Sequence, residues 1–130
     1  MGTRDYSIEL LFKALADRTR LRVINLIGDD EVCVCFLVEA LKANQPKISR
    51  HLAYLRRAGL VASRRDGKWM HYRLAVPPDA HAARIFREVR EVLANNPETQ
   101  RDKARLARFF VASYLPVQLQ RAPPSASLVA

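Results

Sequence analysis

The chain has 130 residues and a mass of 14.8 kDa, with 49% hydrophobic and 27% charged residues and four glycines, which fits one compact domain and excludes a disordered or low-complexity polymer. Its 22 basic residues against 13 acidic ones give a net charge of +9, which points to a polyanionic partner. No apolar run approaches the roughly 20 residues that span a bilayer, the first residues have no signal-peptide pattern, and two cysteines cannot form a disulfide scaffold, so a reducing, cytoplasmic setting is expected.

The charge is unevenly placed. Residues 1–46 carry a net −1, residues 47–73 a net +7, and residues 74–130 a net +3. A basic block this concentrated favours nucleic acid over a merely solvated surface.

In chain order, Ser7 is a candidate N-cap for a first helix running to about Ala16, and Asp17 for a second, which Gly28 stops. Asp29, Asp30 and Glu31 fall where a third helix is expected to begin, with Cys33, Val34, Phe36, Leu37 and Leu41 along it. After Asn44-Gln45-Pro46, the residues Ile48, Leu52 and Leu55 recur at helical spacing, while Lys47, Arg50, His51, Arg56 and Arg57 fall largely elsewhere on the wheel. Beyond Gly59 the period changes to two, and Asp66-Gly67 predicts a hairpin between residues 60–65 and 68–74. A fifth helix follows Pro77-Pro78, and Thr99 with Asp102 reads as the capping box of a sixth. The expected organisation is residues 1–96 as a DNA-binding and sensor domain, 97–121 as a helical extension and 122–130 as a disordered tail.

A short turn, a basic amphipathic helix and then a basic two-stranded wing make a winged helix-turn-helix pattern: mainly α with a small β-hairpin. The stretches Leu15-Ala16-Asp17-Arg18-Thr19-Arg20-Leu21-Arg22, Ile48-Ser49-Arg50-His51-Leu52, Leu55-Arg56-Arg57-Ala58-Gly59-Leu60-Val61, Arg64-Arg65-Asp66-Gly67-Lys68 and Tyr72-Arg73-Leu74 resemble, in the same order, the ArsR/SmtB family of metal- and metalloid-responsive repressors. The resemblance covers roughly residues 8–75 and implies a homodimer, paired through the first and fifth helices and the added helix with Phe109 and Phe110, on double-stranded operator DNA. Gln45, Lys47, Ser49, Arg50 and His51 would meet base edges from the exposed start of the reading helix, with His51 equally readable as a surface histidine without a contact. Arg64, Arg65 and Lys68 beside the hairpin tip would neutralise phosphates, and Trp69 and Tyr72 read as wing packing.

Glu31-Val32-Cys33-Val34-Cys35-Phe36-Leu37 resembles the arsenic-sensing motif of the arsenical repressors in that family, where a third cysteine follows three positions later. Here position 38 is Val38 and the usually acidic position between is Phe36, so the implied ligands are Cys33 and Cys35 alone. Soft trivalent arsenic or antimony suits thiolates, no obligatory cofactor is implied, and water, hydroxide or a cellular thiol is left for the third position. On a regular helix residues i and i+2 project about 200° apart, so chelation is expected to distort the first turn of the third helix and thereby release DNA. The same geometry disfavours a disulfide, and a zinc site is disfavoured because His71 belongs to the far wing. A zinc site of the SmtB type is half present at Asp79-Ala80-His81, but Val92 and Asn95 stand where its other half belongs. The alternatives are a related DNA-binding regulator that senses another thiophilic metal or a redox signal, and a small thiol enzyme. The chain has no nucleotide loop or hydrolytic triad pattern, and no histidine within fifteen residues of either cysteine, so an enzyme is not expected.

Overall fold

The computed structural model describes residues 7–111; the outer part of the expected 97–121 extension, the side chain of Phe110 and the 122–130 tail lie outside the described residues. Helix α1 (Ile8–Leu15) starts at Ser7, whose hydroxyl accepts the Leu10 N–H at 3.1 Å. Helix α2 (Arg18–Ile27) starts at Asp17, whose carboxylate accepts the Arg20 N–H at 2.9 Å. Gly28 ends α2 at φ 55°, a value that side chains rarely adopt.

The next segment corrects the sequence reading. Glu31–Cys33 is a short strand, β1, and α3 (Val34–Leu41) begins one residue later with Cys33 as its N-cap. Val32 and Val34 are β-branched and suit pleated backbone better than a first helical turn. The acidic residues Asp29, Asp30 and Glu31 therefore precede the helix instead of opening it.

Residues 42–44 turn the chain from α3 into α4 (Gln45–Arg57), whose first turn contains Pro46 and is capped by Asn44, accepting the Lys47 N–H at 2.8 Å. A Schellman closure, Leu60 N–H to Leu55 O at 2.9 Å over Gly59 at φ 81°, ends it. Strands β2 (Val61–Asp66) and β3 (Trp69–Leu74) follow. Asp66 pairs with Trp69, so the two-residue turn is Gly67-Lys68, one position later than expected, and Gly67 at φ 61° supplies the left-handed residue of a II′ turn.

The wing is a three-stranded antiparallel sheet in the order β1-β3-β2, with Glu31 opposite Arg73, Val32 opposite Tyr72 and Cys33 opposite His71. A hairpin alone was expected from the sequence. The third strand ties the segment carrying the cysteines to the wing.

Helix α5 (Ala80–Ala94) is capped by Asp79, and α6 (Pro97–Val111) by Asn96, whose side-chain oxygen accepts the Glu98 and Thr99 N–H groups at 2.9 and 3.2 Å. The capping box expected of Thr99 and Asp102 does not form, because both side chains turn inward. Thr99 Oγ1 donates to Leu93 O, and Asp102, 1% exposed, accepts both arms of Arg22 from α2 at 2.8 Å each. Leu106 is fully buried and Phe109 meets Phe36 of α3, so α6 shares the core built by Ile24, Leu37, Ile48 and Leu55. Among the described residues no helix is long and apolar enough to cross a membrane.

Candidate functional site

The basic surface follows from how α4 and the wing are built. Ile48, Leu52 and Leu55 face the core with no exposed surface, which leaves Gln45, Lys47 and Arg50 exposed and Ser49 half-buried along the first turns of α4. His51 does not share that exposure. Its Nδ1 takes a hydrogen bond from Arg20 Nη1 at 3.2 Å and lies 3.9 Å from Asp17 Oδ1, so α4 is anchored to the start of α2. Arginine has only donors, so Nδ1 accepts and the ring is neutral. Burial, together with repulsion from Arg20, Lys47 and Arg50 that Asp17 opposes, keeps the imidazole below the usual histidine range. The same Arg20 guanidinium lies 4.3 Å from the Tyr54 ring centroid and donates to Ala14 O and Lys13 O at 2.8 Å, locking α1, α2 and α4 together.

On the wing, Arg64, Arg65 and Lys68 are exposed. Lys68 Nζ lies 5.2 Å from the Trp69 ring centroid, and Trp69 and Tyr72 are half-buried against the core. Arg64 is engaged: its guanidinium bonds Glu31 at 2.6 Å, and this bond holds the Glu31 carboxyl below the ordinary carboxylate range.

The two cysteines meet at the junction of β1 and α3. Their Sγ atoms are 3.0 Å apart. Cys33, as an N-cap, has extended backbone (φ −69°, ψ 142°), so its side chain is not set by helical geometry, and the 200° separation expected of the pair does not apply. Gathering the sulfurs therefore requires no unwinding of α3. Cys33 is buried and Cys35 half-buried, which leaves the pair an approach from solvent. The S–H of Cys35 donates to Cys33, and with the N–H groups of Cys35, Val34 and Met70 this draws Cys33 down to about 7 against burial; Cys35 is pushed up by the same bond. The pair thus gives up its first proton near neutrality and holds its second tightly.

Position 38, where a third thiol would stand in the resembled motif, is a half-buried valine packed against the core. Asp79, the first residue of the half-present zinc motif, spends a carboxylate oxygen on the Ala82 N–H at 2.9 Å as the α5 cap, while His81 is exposed beside Arg84.

Two features escaped the sequence reading. One is the Glu31–Arg64 pair, which joins the cysteine strand to the wing. The other is His71, which lies directly opposite Cys33 and not on a distant part of the wing; the reason given against a histidine near the cysteines is thereby removed. The signal was there in Glu31-Val32-Cys33, whose alternation matches a strand, but its partner is remote in sequence.

A family model described as "Bacterial regulatory protein, arsR family" matches residues 17–63. The chain is 54% identical over 79 residues to the arsenical resistance operon repressor of Escherichia coli K12, covering 60% of this chain and 68% of that protein. The chain belongs to the ArsR family. It is 56% identical over 66 residues to the arsenic resistance transcriptional regulator ArsR1 of Pseudomonas putida, a match that spans half of this chain and 52% of that one. Among solved structures, the homodimeric winged helix-turn-helix DNA-binding domain Mb0332 of Mycobacterium bovis, a possible ArsR-family regulator, matches with a TM-score of 0.56 at 31% identity over 69% of this chain and 81% of that one. Reduced HlyU of Vibrio cholerae matches with a TM-score of 0.55 at 30% identity over 65% of this chain and 85% of that one. ArsR-family regulators share the architecture seen here, a mainly helical winged-helix domain, and the protein is a DNA-binding regulator of that family.

Proposed function

We propose that the protein is a cytoplasmic, homodimeric transcriptional repressor, not an enzyme, released from operator DNA when Cys33 and Cys35 chelate As(III) or Sb(III). The observation that carries this reading is the 3.0 Å separation of the two sulfurs. Two bonds of about 2.3 Å to one small soft ion, meeting near a right angle, span a little over 3 Å. The pair therefore matches a chelate with only a slight opening. With arsenous acid, As(OH)3, two As–S bonds form, two As–O bonds break, and the two thiol protons leave with the displaced hydroxides as water. The third As–O bond is retained as hydroxide or exchanged for a cellular thiol. The E. coli and P. putida relatives are named for arsenic resistance, which supports arsenic as the inducer.

DNA is engaged by Gln45, Lys47, Ser49 and Arg50 at the start of α4 and by Arg64, Arg65 and Lys68 of the wing. His51 acts by holding α4 against Arg20. The helical extension from Pro97 is an addition to the winged-helix unit of residues 1–96. Ile8 and Phe12 of α1 and Val92 of α5 are large apolar side chains exposed by 40%, 52% and 68%, the kind of surface a second copy covers. The homodimeric Mb0332 domain supports that assignment.

Chelation ties β1 to the first turn of α3, and α3 is joined to the reading helix by residues 42–44 alone. An ion that favours one arrangement of this junction shifts the balance between DNA-competent and released forms. The test is an arsenite titration of the reduced protein bound to fluorescently labelled operator DNA at fixed salt. Anisotropy should fall to that of free DNA as the protein sites fill. No change at saturating arsenite would refute the proposal.

A further inference from the structure

We infer that His71 and the two cysteines form a second coordination set, Cys33-Cys35-His71, for a divalent cation of borderline softness, of the zinc type. The inference rests on the cysteine pair proposed above, but not on its response to arsenic.

Three observations support it. First, the β1–β3 register sets Cys33 directly opposite His71, and opposed residues of an antiparallel pair project to the same face with Cβ atoms about 4.5–5.5 Å apart. Second, His71 is 5% exposed, and its Nε2 is enclosed with no hydrogen-bond partner. A buried polar nitrogen left unpaired destabilises a fold by about 1–3 kcal/mol, so it is seldom retained without a use. Third, the position that would bring a third sulfur is Val38, so the nearest further donor by strand register is an imidazole.

The donor chemistry then selects the ion. Two thiolates and one imidazole are ligands that zinc takes tetrahedrally, leaving one position for solvent, and the half-exposed Cys35 lets solvent reach it. Trivalent arsenic is served by the two sulfurs and an oxygen and has little use for the ring nitrogen. Charge agrees as well. A divalent ion with two thiolates and a neutral imidazole has no net charge, so it can sit beside the cationic Arg64, which pairs with His71 on β2, without an uncompensated buried charge. Among the described residues no three such donors already stand gathered around a point, so the imidazole must turn towards the sulfurs as the ion enters. Its unbonded Nε2 leaves the ring free of a competing partner.

The experiment is a cobalt(II) titration of the reduced, metal-free full-length protein, followed by the visible bands of four-coordinate cobalt and the sulfur-to-cobalt charge-transfer absorbance, then displacement by zinc(II). The wild type should show a two-thiolate spectrum that zinc bleaches. His71→Leu should bind cobalt more weakly by on the order of 100-fold, while arsenite still releases it from DNA; Cys33→Ser should lose both responses. Cobalt binding lost with arsenite release intact in Cys33→Ser would overturn the metalloid reading and leave this one standing. If His71→Leu binds cobalt with wild-type affinity and spectrum, or if the wild type shows no charge-transfer band, the inference is wrong. Replacing an unpartnered nitrogen by an apolar group should not lower the metal-free melting temperature, which separates ligation from a structural role. Should His71→Leu fail to fold, His71→Cys decides: a three-thiolate spectrum supports the site and a two-thiolate spectrum overturns it.

Discussion

Arg64, on the wing, grips Glu31, two residues before Cys33, at 2.6 Å. The residue best placed to neutralise a phosphate is thus already paired with a carboxylate on the strand that leads to the cysteines. DNA and Glu31 compete for the same guanidinium. Glu31→Gln should tighten operator binding by a small factor, roughly two- to threefold at low salt, since exposed ion pairs are weak. Equal affinity in the variant, measured by anisotropy at several salt concentrations, would remove Glu31 from any role in DNA binding.

The wing's part in binding has a separate electrostatic signature. Each phosphate neutralised steepens the fall of log affinity with log salt by about 0.9. Arg64→Ala with Arg65→Ala should therefore flatten the slope by up to about 1.8 and weaken all DNA sequences alike. An unchanged slope would take both residues off the DNA surface.

Helix α6 is held by a buried contact. Asp102 accepts two hydrogen bonds from Arg22, and Arg105 donates to Ala40 O of α3 at 2.7 Å. Asp102→Ala removes both bonds and leaves Arg22, whose side chain is 23% exposed, without that partner. The expected loss is about 2–3 kcal/mol of unfolding free energy by urea titration. A loss below 0.5 kcal/mol, about the level of ordinary surface substitutions, would mean that α6 contributes little to the domain.

Much of this fold was legible in local sequence. Ser7, Asp17 and Asp79 cap their helices as short polar side chains do, and Ile48, Leu52 and Leu55 mark the buried side of the reading helix. What was not legible depends on partners distant in the chain. Cys33 reads as helical until β3 pairs with β1, and Thr99 and Asp102 read as a cap until Arg22 and Leu93 draw them inward. The wrong geometry for the cysteines followed directly, since an N-cap residue is not bound by the 100° step of a helix. His71 was passed over for the same reason.

The thiol pair makes a prediction in pH. Because Cys35 donates its S–H to Cys33, Cys33 ionises near 7 and is about half thiolate at neutral pH. Alkylation by iodoacetamide in the metal-free protein should rise through a midpoint near 7 for one thiol, with the second reacting more slowly. In Cys35→Ala the donor is gone, so the Cys33 midpoint should move up towards the ordinary thiol range. A midpoint unmoved by Cys35→Ala would show that the S–H bond does not set the reactivity.

The central claim is that Cys33 and Cys35 together are the sensor. The most direct test is arsenite-dependent release of operator DNA by Cys33→Ser, Cys35→Ser and the double variant, beside the wild type at one salt concentration. Neither cysteine lies on α4, so all three variants should bind operator with nearly wild-type affinity. Chelation needs both sulfurs, so each single variant should fail to respond as completely as the double. Normal arsenite release in the double variant would contradict the account.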